Sequence, residues 1–223
     1  MNKWLTRKRN SLGYGIQSPS DFYFLHHVLH EDLPYYGYAD LKEITREHST
    51  FLPHYSETTN KLLYRLTNHI HPDTMIELGA GLSVLAMTLS CPSGKCTAIT
   101  SSSTHCEAIR YLLVNSPQAE VKQGNEMELL CHSLQEFGTI DMLHIAHTTY
   151  YKEAINAALP YVSDRTLIVI EGIRTDKGKH EWWRNLLENR QTGITYDLGE
   201  TGLLFFDRSR HKNTYWITLK DQR

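Results

Sequence analysis

From residue 73 onward, short β-rich apolar runs alternate with stretches whose apolar positions recur at helical spacing. The runs predict strands at 74–79, 95–100, 119–123, 140–145 and 166–171, with helices at 83–90, 103–115, 125–136, 150–161 and 175–191. Such alternation is the pattern of βαβ units and therefore of a parallel sheet. The last third changes period. "GITYDLGETGLLFFDR" gives two apolar runs joined by "GET", which predicts an antiparallel hairpin, and "NTYWITLK" alternates with period two as one more strand. Ahead of the sheet lie the aromatic-rich "SPSDFYFLHHVLHEDLPYYGYADL" and the amphipathic "TTNKLLYRLTNHI", which predict helices that cover the sheet or roof a site. The expected division is a helical extension over 1–70 and an α/β domain over 71–223.

Composition narrows the class without choosing a function. At 40% hydrophobic and 22% charged residues, the chain has ample material for a core and is no candidate for disorder. A formal charge of −2 gives no electrostatic argument for nucleic acid or anionic lipid, so the basic cluster Lys3, Arg7, Lys8 and Arg9 is expected to be a solvated terminus. No apolar run approaches the roughly 18 residues of a membrane span. The basic start leads into "SLGYGIQS" rather than a signal-like apolar stretch, and the expected location is the cytoplasm. Cys91, Cys96, Cys106 and Cys131 form no CxxC pair and are expected to be reduced, mostly structural thiols.

The stretch "TMIELGAGLSVL", residues 74–85, reads as a buried strand, a glycine turn and a helix start. Gly79 and Gly81 supply what such a turn needs, a backbone that bends sharply and lets a ligand come close. A dinucleotide fingerprint would place a third glycine at position 84. Val84 stands there, which disfavours NAD or FAD. An acidic residue, Glu77, followed by Gly-x-Gly-x-small ending on Ser83 resembles motif I of class I methyltransferases that use S-adenosylmethionine (SAM). "DLGETGLLFF" resembles the end of the O-methyltransferases related to the catechol and caffeoyl-CoA enzymes. "GYGIQSPSDFYFLHHVL" with "LPYYGY" is similar to an uncharacterised bacterial set of methyltransferase-like proteins common in Bacteroidetes.

The resemblance implies a Rossmann-like class I methyltransferase fold: a mostly parallel seven-stranded sheet with an antiparallel C-terminal hairpin and an N-terminal helical extension. It implies SAM as cofactor, lying over Gly79, Gly81 and Ser83 with Glu77 near its methionine end. The acid that accepts from the ribose hydroxyls in the family is replaced by Thr100 and Ser101, and the acid that faces the adenine by Asn125. Hydrogen bonds to charged groups are worth about 1.5–3 kcal/mol against about 1 for neutral ones. Glu126 is an alternative partner for the adenine, or simply an acid favoured at a helix N-terminus.

Metal-dependent relatives carry Asp-Gly-x-His-x-Tyr after the fourth strand, where this chain has "DMLHIAHTTYYKEA". Ala146 falls on the metal-binding aspartate, Thr149 on the histidine and Tyr151 on the tyrosine, while the later Asp-Asp pair becomes Glu171 and Gly172. One carboxylate cannot organise octahedral magnesium, so no metal is expected. His144, His147, Tyr150, Tyr151, Glu171 and Arg174 remain at the strand ends. His147 is the expected general base, with Glu171 and Tyr151 beside it, and His144 is either a ligand contact or a hydrogen-bonded core histidine.

The expected activity is therefore metal-independent methyl transfer to a small molecule, with no nucleic-acid or membrane partner and a homodimer left open. An inactive methyltransferase-like protein that binds another ligand or a partner in the same cleft is the alternative. His26 and His30 in "HHVLH" have a spacing that suits zinc, but without an accompanying HExxH glutamate they are read as exposed or capping groups. Trp182 and Trp183 are expected to divide between the sheet and solvent. Phe22, Tyr23, Phe24, Tyr35, Tyr36 and Tyr38 either pack the N-terminal helices or roof an acceptor pocket.

Overall fold

The computed structural model describes residues 3–189 and 191–219. Its strands are β1 (Thr74–Leu78), β2 (Lys95–Thr100), β3 (Ala119–Gln123), β4 (Ile140–Ile145), β5 (Val162–Ile170), β6 (Ile194–Asp197), β7 (Gly202–Phe205) and β8 (Asn213–Trp216). They form one sheet in the order β3-β2-β1-β4-β5-β7-β6-β8. β1 pairs in parallel with β2 and β4, β7 is antiparallel to both β5 and β6, and β8 is parallel to β6. Every strand except β7 thus points the same way. The order of strands reverses between β1 and β4, which opens a crevice at their carboxyl ends.

The sheet has eight strands rather than the seven the resemblance implies, because the alternating run after residue 212 pairs with β6 as an extra edge. Residue 190 of the expected last helix and Lys220 of the expected last strand lie outside the described residues, as does the side chain of Lys3. β5 starts at Val162, four residues before its expected position.

Alternation along each strand separates two apolar layers. Ile76, Leu78, Leu143, Ile145, Ile168 and Ile170 face the layer closed by α7 (Glu126–Phe137), α8 (Tyr151–Ala158) and α9 (Lys177–Leu187). Met75, Ala98, Met142, Leu167 and Val169 face the other, covered by α4 (Glu57–Ile70), α5 (Val84–Ser90) and α6 (Ser103–Leu112). With both faces covered, the central strands have no polar side, which is why they read as continuous apolar runs.

The three remaining helices, α1 (Lys3–Ser11), α2 (Pro19–Phe24) and α3 (Gly37–His48), precede α4. α2 opens on Pro19 with Ser18 as its cap and runs into a π turn at Leu25–Leu29. The buried Arg65 of α4 closes that turn by donating to the carbonyls of Val28 (2.7 Å) and Leu29 (3.3 Å). Phe24 packs edge-on against Phe205 of β7. Asp21, buried, accepts from the hydroxyls of Tyr196 (2.8 Å) and Tyr215 (3.1 Å) and pairs with Arg210. Arg7 donates to the Asp197 carboxylate at 2.5 Å and also to the Ile217 carbonyl. The N-terminal helices are therefore bonded to the last strands of the sheet. No helix among the described residues is long and apolar enough to cross a membrane.

Candidate active site

Three parallel strands deliver three ionisable side chains to one buried row. Glu77 leaves β1, His144 sits beside it on β4 in register, and Glu171 follows β5 directly. His144 Nδ1 lies 3.1 Å from Glu77 Oε2, and its Nε2 lies 3.6 Å from Glu171 Oε1, an ion-pair distance longer than a hydrogen bond. The second oxygen of Glu171 accepts from Thr201 Oγ1 at 2.7 Å. Burial alone would strip His144 of its proton, but the carboxylates of Glu171 and Glu77 outweigh it and raise its pKa to about 9. His144 is thus an imidazolium at neutral pH, set between the carboxyl groups of Glu77 and Glu171, and a buried charge so flanked is the arrangement that tolerates removal from water.

Glu77 also shapes the glycine turn. Its Oε1 accepts from Gly81 N–H at 3.0 Å and from Ser83 Oγ at 2.9 Å. Gly79 has φ +72°, and a Cβ there would meet the His147 main chain at 2.5 Å. A Cβ on Gly81 would lie 2.3 Å from the Pro53 carbonyl oxygen, and that oxygen accepts from Leu82 N–H at 2.9 Å. The loop 51–55, between α3 and α4, therefore lies on the turn, and Gly79 through Ser83 are all buried.

Tyr55 from that loop stacks on His147, ring centres 4.2 Å apart and 12° from parallel, with His144 6.0 Å away. Burial and the charges of Glu171 and Glu77 push its hydroxyl pKa up. Burial lowers His147 to about 4, so its ring is neutral at pH 7. His147 Nε2, His144 Nε2 and Glu171 Oε1 are buried without hydrogen-bond partners. Unsatisfied polar atoms are costly and uncommon, and three among neighbouring strand ends mark a place built for something besides packing.

At the ends of β2 and β3 the polar groups hold one another. Thr100 is buried and its hydroxyl accepts from Ser102 N–H at 3.3 Å. Ser101 is exposed and donates to Glu126 Oε1 at 3.2 Å, while Thr148 donates to Glu126 Oε2 at 2.6 Å. Glu126 thus links the exits of β2 and β4. Asn125 caps α7, its Oδ1 accepting from Met127 N–H (3.0 Å) and Glu128 N–H (3.2 Å).

The structure groups the sequence-based candidates unevenly. Glu77, His144 and Glu171 form the buried row, Gly79, Gly81 and Ser83 form the turn, and His147 flanks it. Tyr151, the first residue of α8, packs edge-on against Trp182 at 4.7 Å and carries the Lys179 ammonium over its ring. Pro53, Tyr55, Thr148 and Thr201 were not among the candidates. They reach the site from three loops, Pro53 and Tyr55 sharing one, and have no local motif to announce them. Of the aromatic segment, Phe24 is core, Tyr35 and Tyr38 pack against Tyr64, and Tyr36 is 98% exposed. The roofing ring is Tyr55 instead. Trp183 is buried and Trp182 half-buried, as the doublet predicts. The rings of His26 and His30 stand 6.5 Å apart, and no metal-ligating cluster of three or more groups occurs among the described residues.

No protein-family model matches the chain, and no curated protein matches it in sequence. Solved structures do match it. The O-methyltransferase TomG from Streptomyces achromogenes, solved with SAM, is 16% identical with a TM-score of 0.60, covering 92% of this chain and 99% of its own. A methyltransferase from Geobacter sulfurreducens is 17% identical with a TM-score of 0.60, over 85% of this chain and 97% of its own. The O-methyltransferase from Bacillus cereus, solved with S-adenosylhomocysteine, is 15% identical with a TM-score of 0.57, over 85% and 98%. The chain has the class I methyltransferase fold. Within that fold, its similar structures include O-methyltransferases.

Proposed function

We propose that this chain is a SAM-dependent methyltransferase that acts without a metal on a small-molecule acceptor. The observation that carries the reading is the glycine turn at the β1/β4 reversal point. The Cβ that Gly81 lacks would lie 2.3 Å from the Pro53 carbonyl oxygen, and Leu82 N–H gives that oxygen the bond a ligand's carboxylate would take. The turn fits SAM once loop 51–55 lifts. The similar structures that hold SAM or S-adenosylhomocysteine support the same cofactor. Four free cysteines, three of them buried, agree with a reducing, cytoplasmic setting.

In this reading Gly79 to Ser83, backed by Glu77, would hold the methionine end, Thr100 and Ser101 the ribose and Asn125 the adenine side. Glu126 supplies the acid missing after β2, since its carboxylate already reaches Ser101. Bound SAM brings a methyl group already activated by its sulfonium. The protein then has to align the acceptor and exclude water. Loop 51–55 does the excluding, with Tyr55 as its inner surface. His147, neutral at pH 7, would accept a hydrogen bond from the acceptor hydroxyl at its unpartnered Nε2. A base this weak takes the proton only as the methyl–oxygen bond forms and the acceptor oxygen becomes strongly acidic. Glu171, after β5, and Tyr151, on α8, would assist from the acceptor side.

Calorimetric titration with SAM and S-adenosylhomocysteine tests the proposal. Micromolar binding that Gly81→Val abolishes and Glu126→Gln weakens about tenfold is expected. Absence of heat at millimolar cofactor would sink it and favour an inactive relative of the fold.

A further inference from the structure

The carboxyl edge of the sheet carries a second concavity, toward the β8 end and away from the glycine turn. A cavity of about 500 Å³ opens between α1, α9 and the ends of β6 and β8. That is the size of a small-molecule site, which typically spans about 300–1,000 Å³. Its cationic side is fixed from below. Asp197 holds Arg7 at 2.5 Å and Arg174 at 2.9 Å and 3.0 Å, and Arg174 also donates to the Gly199 carbonyl at 2.8 Å. Trp183 donates to the same carboxylate at 3.2 Å.

Two further groups of α9 line the cavity with unspent hydrogen-bonding capacity. Arg184 makes no hydrogen bond or ion pair among the described residues. His180 Nδ1 is buried with no partner. Against Arg7, Arg174 and Arg184 stand only Asp197 and Glu188, so three basic side chains face two acidic ones in the lining. Two indoles, Trp4 and Trp216, complete the wall. Guanidinium groups match carboxylate and phosphate geometry, and indole faces take flat rings.

We propose that this cavity is a binding site for a small aromatic anion, its carboxylate or phosphate held by Arg184 and His180 and its ring laid against Trp4 and Trp216. Arg174 and Arg7, already anchored, set the field. The site does not depend on the methyl-transfer reading, because it uses none of the residues assigned there.

The test is a titration of the whole chain, followed by tryptophan fluorescence and calorimetry, with 2-naphthoate, 1-naphthyl phosphate and the uncharged 2-naphthamide. At least one anion is expected to bind about tenfold more tightly than the amide, and the better anion identifies the head group. Arg184→Ala, at an exposed position that leaves the fold intact, should remove most of that preference. Trp216→Ala should weaken anion and amide alike, and saturating S-adenosylhomocysteine should leave the naphthoate affinity unchanged. Equal binding of anion and amide, no saturable binding at millimolar concentration, or indifference to Arg184→Ala would overturn the proposal. Displacement of naphthoate by S-adenosylhomocysteine would do so as well.

Discussion

Replacing His144 by glutamine should change how stability depends on pH, because the buried imidazolium titrates far from its free value. The folded pKa is about 9 and the ordinary one is 6.5, a difference of 2.5 units. At about 1.36 kcal/mol per unit this is about 3 kcal/mol of folding free energy tied to the proton. The folded state holds the proton more tightly than the unfolded chain. The contribution is therefore complete below pH 6.5 and disappears as pH rises through 9. Urea denaturation at pH 6 and at pH 9 reads it directly. The wild type should lose about 3 kcal/mol more than His144→Gln over that interval. At pH 7 the variant should be less stable by about 3–5 kcal/mol, since Glu77 and Glu171 then face each other without a cation. The imidazole Hε1 resonance of the wild type gives an independent reading, with a midpoint near pH 9 expected. If the variant lost as much stability as the wild type between pH 6 and 9, the imidazolium would not be what joins the three strands.

Other outcomes follow from single contacts. Gly81→Ala puts a methyl 2.3 Å from the Pro53 oxygen, with main chain on both sides, and should cost about 1–3 kcal/mol while speeding hydrogen exchange at Leu82 N–H. Unchanged exchange there would mean that loop 51–55 does not rest on the turn. Asn125→Ala removes the cap from two amides of α7 and should lower stability by about 1 kcal/mol, or about 2–4 °C in Tm for a domain of this size. Only Cys131 of the four cysteines is exposed, so one thiol should react in native protein and four in denaturant. A second fast thiol would show that the helices around Cys91, Cys96 and Cys106 open readily.

The sheet was legible in the sequence because its strands are buried on both faces and its helices amphipathic, so each period repeats over several residues. The glycine turn was legible for a related reason, since Gly79 and Gly81 are demanded locally by a sharp bend and a close approach. The row of Glu77, His144 and Glu171 was only half visible. Each residue stands at a strand end, but their contact depends on register between strands 67 residues apart in the case of Glu77 and His144. Tyr55, Pro53 and Thr201 were invisible for the same reason, as nothing next to them in the chain records what they touch. The extra edge strand shows the opposite case. Its period-two pattern was clear, and only its pairing with β6 needed the structure.

The bonds that fasten α1 and α2 to the far edge of the sheet set an order of events during synthesis. Arg7 reaches its partners across 190 and 210 residues of chain, and Asp21 reaches Tyr215 across 194. The turn after α2 can dock on Arg65 of α4 early, but the bonds of Arg7 and Asp21 to the sheet edge cannot form until β6 and β8 have been made. Contacts this distant in sequence slow folding, because a long loop must close before they form. Until then Asp21 lacks the hydroxyls of Tyr196 and Tyr215 and the guanidinium of Arg210 that hold it in the folded chain. A nascent chain stalled before β8 would present that unfinished surface, and chaperones should engage it there.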